Sequence, residues 1–520
     1  MRKHAQRGAI AGAAVLTLAL AACSGPTIAG SEGSEKAAYS TDTVRTALPS
    51  DPNTLDPTSA RGVSGYSLMP LLYAPLVYQD DDQELIAGIA SEFEIAPDRG
   101  EFVISDAATC SDGTPLTASA AAASIENYVA NSIEKYFTFG PGTVSVAADD
   151  GAKTLTIELS EPWADMAQAI TKVGIVCPAG LADAEALGAG AAAGAFSGPY
   201  VIDSYNPGVE LTLELREDYV FPEYATPLEG AAPANIRFAI NGDPNSITNN
   251  LLTGAYDTAG LNAQSIERFE GNDDFESQRF AVAVSYIVFN QRPGSVFADE
   301  KNRQAVAQSI SWEAFDQATN GGAGDRLTSF AASDVQCVNT DESLLLESGD
   351  AAASKPLEGL TIRFVGTQLT GPNGAGNSYI SQALTEAGAE VTLENLDNNA
   401  WIETLTTKPD AWDMTVMGST NPTRTLANPL SQLVGPTQAE DGRNIIGVRN
   451  PEVEAQLQAL MSEEDGEKRC DTWQDIQTEL ITTATVVPLS ASPSYQTTRT
   501  GFAVRGIGGV VRLDTLRITE

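Results

Sequence analysis

The sequence predicts an α/β protein of more than one lobe, and three observations carry that prediction. Short runs at the alternating spacing of strands interleave with longer runs at helical spacing along the whole chain. The stretch "LTIRFVGTQLTGPNGAGNSYISQALTEAGAEVTLENL", Leu360 to Leu396, reads as strand, glycine-bearing loop, helix and strand, the βαβ unit of a parallel pair. Roughly 480 residues follow a small, polar N-terminal tract, more than one ordinary hydrophobic core organises, so two or three lobes are expected.

The N-terminus comes first. Arg2, Lys3 and Arg7 precede 14 apolar or small residues, Ala9 to Ala22, too few for a bilayer span, which needs about 20. This is the pattern of an export signal over residues 1–22. Leu20-Ala21-Ala22-Cys23 resembles the lipobox of bacterial lipoproteins, which implies cleavage before Cys23 and transfer of a diacylglycerol to its thiol. Two acyl chains are about the minimum for stable anchoring. Residues 23–40 have no periodicity and read as a lipidated, flexible tether. The expected location is therefore the outer face of the cell membrane, reached through lipid alone.

Beyond the tether, β-type runs begin at Thr43 ("TVRTALP"), Glu101, Thr154, Gly198, Glu210 and Asn235. Helical spacing appears from Thr117, with Thr117 as the cap, and from Ser246. "EKNRQAVAQSISWEAF" from Glu300 reads as one helix, and the run from Pro451 as a helix interrupted near Gly466. "ALGAGAAAGAFSG" from Ala186 and "NGGAG" from Asn320 read as loops. In the βαβ unit, Gly371, Gly374 and Gly376 reverse the GxGxxG spacing, and eleven residues separate Val365 from Asn377. A dinucleotide fingerprint needs a tight strand-to-helix turn, so this is expected to be a surface crossover loop.

Charge and composition remove several functions. The chain carries a formal net charge of −39; loss of residues 1–22, with their three positive charges, takes it to −42 and removes His4, the only histidine. Such a surface repels nucleic acid and anionic headgroups. A chain without histidine has no Ser-His-Asp or Cys-His pair and no His-bearing metal site. No cofactor, metal or nucleic-acid partner is expected. Besides Cys23 there are four cysteines, Cys110, Cys177, Cys337 and Cys470, without a CxxC motif. In an exported chain they read as two disulfides with three possible pairings.

A longer order of phrases then becomes visible: "ALPSDPNTLDPT" from Ala47, "LYAPLVYQDDDQELIAGIASEFEIAPD" from Leu72, "CSDGTPLTA" from Cys110, "SGPYVIDSYNPGVELTLELREDY" from Ser197, "YIVFNQRPGSVFADEKNRQAVAQSIS" from Tyr286, "WDMTVMG" from Trp412 and "TATVVPL" from Thr483. Over Thr41 to Glu520 the chain resembles the extracytoplasmic solute-binding proteins of peptide/nickel ABC importers. The resemblance implies a two-lobed periplasmic-binding-protein-like clamp with an additional α/β subdomain, closing by hinge motion between two connecting strands. It places residues 41–62, 195–285 and 492–520 in the first lobe, 63–194 in the subdomain and 286–491 in the second lobe. Each cysteine pair then stays inside one unit if Cys110 joins Cys177 and Cys337 joins Cys470.

The same resemblance implies binding residues and partners. In peptide-binding relatives, the segment after the "WDM" strand carries an aromatic residue and then an aspartate for the ligand's α-amino group. Here Met417 to Pro429 has Ser419 at the aromatic position, no acid, and Arg424 as its only charge. A buried ammonium group without a carboxylate would cost several kcal/mol. Candidate ligand contacts are Met417, Gly418, Ser419, Thr420, Asn421 and Arg424; Ser490, where relatives often place an aromatic; Trp401; Asn290 at the crossing into the second lobe; and Tyr66 after "LDPT". The expected protein is a monomeric, non-enzymatic receptor that takes a short peptide or peptide-like solute to a permease. The alternative is a secreted hydrolase with paired carboxylates, although no two acids stand out among many.

Overall fold

Two strands, Phe275–Phe289 and Val486–Arg499, run antiparallel from the Phe275/Arg499 pair to the Val288/Val486 pair and organise the chain. The computed structural model describes residues 42–132, 134–346, 355–421, 423–440 and 442–520. The expected signal, Cys23 and the tether lie outside them. At one end of the long pair, Thr258–Leu261 adds to the outer edge of Val486–Arg499, Thr258 facing Thr498 and Leu261 facing Tyr495. At the other end, Met414–Ser419 adds to Phe275–Phe289, Phe289 facing Met414 and Val284 facing Ser419. The parallel strands Thr361–Thr367 and Glu390–Leu396 follow beyond it. One seven-stranded sheet therefore has different neighbours at its two ends. A register shift at Ala281/Ala283 lies between those ends and another, at Ser285/Tyr286, lies within the stretch paired with Met414–Ser419; such bulges bend and twist a strand.

Around the first end stands a four-stranded sheet in the order Thr43–Leu48, Asn235–Ile240, Glu210–Leu215, Tyr200–Asn206, its first pair parallel. Val44, Thr46 and Leu48 alternate inward, as the period of two requires. Arg45 fixes this sheet to the large one. Its Nε and Nη2 donate to the two carboxylate oxygens of fully buried Asp257 at 2.9 and 2.6 Å.

Residues 90–159 contribute an antiparallel sheet ordered Ala90–Ala96, Arg99–Ile104, Thr154–Leu159, Val144–Asp149. Helix Ala118–Asn131 packs on it, and the Thr117 hydroxyl accepts from Ala120 N–H at 3.2 Å, the predicted cap. Leu76, Phe102, Ile125 and Trp163 from this region share one buried cluster with Tyr286, Trp412, Leu430 and Trp473. Its core is thus continuous with that of the chain's second half. Both disulfides form, Cys110 with Cys177 and Cys337 with Cys470.

Three local expectations are corrected. The run from Glu300 is two helices, Glu300–Ser309 and Trp312–Asn320, because Ser311 turns extended and caps the second by accepting from Ala314 N–H. The helix placed at Ser246 begins at Pro244, with Asp243 accepting from Ser246 N–H at 2.7 Å. The alanine–glycine run from Ala186 opens inside a short helix, Ala184–Gly188. The break near Gly466 is real: helices Pro451–Leu460 and Gly466–Thr482 flank it, with Asp465 as the cap. In the βαβ unit, Gly371 and Gly376 lie so close to Thr319 that a side-chain carbon would collide with it. Their work is close packing of helix Ala375–Glu386 against Trp312–Asn320.

Candidate functional site

The segment after the strand Met414–Ser419 turns sharply. Asn421 and Arg424 both take positive φ, 40° and 57°, a conformation that costs a non-glycine residue on the order of 1 kcal/mol or more. Local bonds hold the turn: Arg424 N–H donates to Asn421 C=O at 3.0 Å, and Asn421 Nδ2 to Thr425 C=O at 2.9 Å. The Arg424 guanidinium is thereby carried inward, 4% exposed, and ion-pairs with Asp334.

A seam runs from this turn along the region of residues 134–172. Gln168 Nε2 donates to Arg424 C=O at 3.2 Å, Arg469 Nη2 to Asp165 Oδ1 at 2.8 Å, and Ala164 N–H to Met461 C=O at 3.0 Å. The Arg443 guanidinium stacks 4.5 Å from the Phe137 ring centre. A third element closes on the same place: the hairpin Phe502–Ile507/Val510–Ile518, whose Gly509, at φ 73°, rests directly against Asp334 and Arg424. Among these elements lies a cavity of about 130 Å³ whose walls include Gln79, Asp165, Gln168, Arg424, Thr425 and Arg469. That is the size of a subsite, well below the roughly 300–1,000 Å³ of a whole ligand pocket.

The electrostatics of the seam are unusual. Arg424 Nε and Arg469 Nε are buried without a hydrogen-bond partner among the described residues. Burial raises the Asp165 carboxyl above its ordinary value, with Arg469 and Thr425 pulling the other way. Lys172, one turn beyond Gln168, has no ion-pair partner among the described residues. Burial first, and Arg512 second, push its ammonium group down to about 7; Asp514 opposes them and Arg424 adds to them.

The Arg469–Asp165 bond ties the two sides of the seam. Arg469→Ala leaves a buried carboxylate unpaired, at a cost of about 3–5 kcal/mol. The expected result is a looser protein by small-angle scattering and weaker solute binding. Asp165→Ala added to it should recover most of the loss, as a double-mutant cycle will show.

The sequence-selected residues divide in three. Arg424 reaches the seam, Asn421 shapes its turn, and Gly418, Ser419 and Thr420 lead into it, Gly418 and Thr420 exposed. Met417 is buried opposite Tyr286. Other candidates are fully engaged elsewhere. Asn290 Nδ2 donates to Pro409 and Trp412 carbonyls at 2.7 and 2.9 Å while its Oδ1 accepts from Arg292. Trp401 Nε1 donates to Thr415 Oγ1 at 2.9 Å, and buried Ser490 donates to Asp316. Tyr66 stands on helix Gly62–Leu72, 38% exposed, donating to Glu134 at 2.8 Å. Sequence reasoning missed Lys172, Asp334, Gly509 and the pair Arg512–Asp514. A lysine inside the apolar run "AITKVGIVC" was one legible signal; Arg512 and Asp514 on one face of a strand were another.

Comparison with known proteins follows this geometry. The profile of the bacterial extracellular solute-binding proteins, family 5 (middle region), matches residues 84–441. A Brucella ovis protein provisionally named an ABC transporter peptide-binding protein is 25% identical over 455 residues, 81% of each chain. A substrate-binding protein of Microbacterium hydrocarbonoxydans, solved with 4-hydroxybenzoate hydrazide, is 37% identical and superposes with a TM-score of 0.78, covering 92% of this chain and 100% of that one. The Pseudoalteromonas dipeptide-binding protein in complex with Met-Leu shares the fold at 17% identity and TM-score 0.71, over 92% of this chain and 100% of its own.

Proposed function

Since the chain belongs to the bacterial extracellular solute-binding proteins of family 5, the solute receptors of ABC importers, we propose that it captures a small peptide-like acyl compound between its lobes and hands the closed complex to a permease. The observation that carries this reading is the pair of long strands shared by two packing environments, beside a seam where three chain segments meet over buried charge. Solute touching both sides favours the closed form, because a ligand shifts an equilibrium by its difference in affinity for the two states. The lobe boundaries at 285/286 and 491/492 fall on those strands, the first at a register shift. Residues 63–194 act as the extra subdomain, and the protein works as a monomer held by acylated Cys23.

The solute is best read as an acyl compound without a free α-ammonium group. The 37%-identical relative was solved with an acyl hydrazide, which presents the C(=O)–NH of a peptide bond and no zwitterion. Met417 to Pro429 of this chain holds no carboxylate for an amine. The carboxylate-dependent hydrolase draws no support from the family or the relatives.

Native mass spectrometry of the purified protein should find a co-purified small molecule. Added 4-hydroxybenzoate hydrazide and N-acetylated di- to pentapeptides should raise the melting point with the logarithm of concentration, about 2.7 kcal/mol at one hundred times Kd, and the free peptides should raise it less. Turnover of the bound molecule, or no small molecule bound at all, overturns the reading.

A further inference from the structure

Resting on the receptor reading, we infer that the part of the solute held in the seam cavity is an uncharged amide-like group, a carboxamide or hydrazide, read by the side-chain amides of Gln79, Gln168 and Gln336. The charges around the cavity cancel in pairs, Arg469 with Asp165 and Arg424 with Asp334. Lys172 is not among the lining residues. The cavity therefore has no spare charge to offer a solute.

A charged group on the solute would have to disturb one of these pairs. A carboxylate reaches Arg469 only by stripping it from Asp165, which is 5% exposed, and an ammonium group reaches Asp165 only by displacing Arg469. Either step leaves a mostly buried charge unpaired, which costs far more than one neutral hydrogen bond returns. A carboxylate sharing Arg424 would sit beside Asp334 and be repelled by it. An ammonium group taking Asp334 would strand Arg424, which is 4% exposed.

The polar groups left over are neutral. Gln79 lines the cavity at 3% exposure, and its Nε2 donates to Gln83 C=O at 3.1 Å. Gln168 Nε2 donates to Arg424 C=O at 3.2 Å. The Oε1 atoms of Gln79 and Gln168 accept no hydrogen bond among the described residues, and Gln336, an exposed lining residue, engages neither end of its amide there. Two acceptors and one complete amide complement a small group that carries both N–H and C=O. Leu426 and Trp473, 2% and 3% exposed, give the same cavity an apolar wall for the body to which that group is attached.

The test uses the full chain and matched probes at about pH 7, where the acids are ionised: 4-hydroxybenzoate hydrazide and 4-hydroxybenzamide against 4-hydroxybenzoate, and N-acetyl dipeptide amides against both the N-acetyl acids and the dipeptide amides with a free ammonium group. By calorimetry the neutral probes should bind about 10- to 100-fold tighter than their charged counterparts. Their affinity should change less than about twofold between about 0.05 and 0.5 M salt, since no ion pair forms. Gln168→Leu and Gln336→Leu should each weaken the neutral probes about 3- to 30-fold and leave the acids within about twofold, so that the preference shrinks. A purely structural role would weaken every probe alike, and melting curves verify that both variants fold. Charged probes binding as tightly as neutral ones, failure of all the probes, or an undiminished preference in both variants overturns the inference. The receptor reading is decided separately, by whether any small molecule co-purifies.

Discussion

Gly509→Val is expected to weaken solute binding about 100-fold while leaving the protein folded. Gly509 sits in a hairpin turn at φ 73°, and a side-chain carbon there would land on the Asp334 carboxylate and the Arg424 guanidinium. Arg424 cannot retreat easily, since it is 4% exposed and its backbone is fixed in a left-handed turn, and swinging the more exposed Asp334 carboxylate aside would break its ion pair with Arg424. Valine therefore adds two costs of different kind. The left-handed dihedral costs about 1–2 kcal/mol, and it is present whether the lobes are open or closed. The collision is present only when the hairpin meets the seam. A penalty of about 3 kcal/mol on the closed form alone lowers apparent affinity by about two orders of magnitude. Gly508→Val is the control: it shares the positive φ, 57°, but its added carbon meets only the flexible end of Gln79, at 2.9 Å. It should destabilise similarly and bind within about tenfold of wild type. If titration calorimetry finds the two variants equally competent, the contact of Gly509 with Arg424 has no part in capture.

Asp316→Ala should lower stability by about 3 kcal/mol in chemical denaturation, with the slope unchanged. Asp316 is 1% exposed; its Oδ1 accepts from Asn320 Nδ2 at 2.7 Å and from the Ser490 hydroxyl, and its Oδ2 from Gly324 N–H at 3.0 Å. Alanine leaves three donors in a dry site, each costing about 1–3 kcal/mol before relaxation or water entry. Ser490→Ala removes one bond of the three and should cost about 1 kcal/mol. The pair of variants also decides the role of Ser490. A network member loses stability with solute affinity intact; a solute contact does the reverse.

These two sites show what could be read from sequence. Where a signal is local it is legible: the Thr117 cap, the strand–helix–strand at Leu360 to Leu396 and the helix break at Gly466 each follow from a few neighbouring residues. Family resemblance supplied what local pattern could not, including the pairing of Cys110 with Cys177 and of Cys337 with Cys470. The candidate site was legible only as a stretch of chain. Arg424 stood out as its single charge, yet nothing near it announces Asp334, Lys172 or Gly509, which come from three other segments. Ser490 and Asn290 show the opposite difficulty: a polar residue beside an expected cleft does not declare its partners, which in the structure are Asp316 for Ser490 and the Pro409 and Trp412 carbonyls for Asn290. The split at Ser311 was missed because a serine continues a helical pattern as readily as it starts a new helix.

The long strand Val486–Arg499 arrives very late in the chain, and Thr258–Leu261, made more than two hundred residues earlier, adds to it. The Thr258–Leu261 end of the large sheet therefore cannot be finished until Val486–Arg499 is made; until then Phe275–Phe289 waits with an open edge. Joining Thr258–Leu261 to Phe275–Phe289 through Val486–Arg499 closes a loop of more than two hundred residues, so the large sheet is completed by one of the most long-range pairings in the fold.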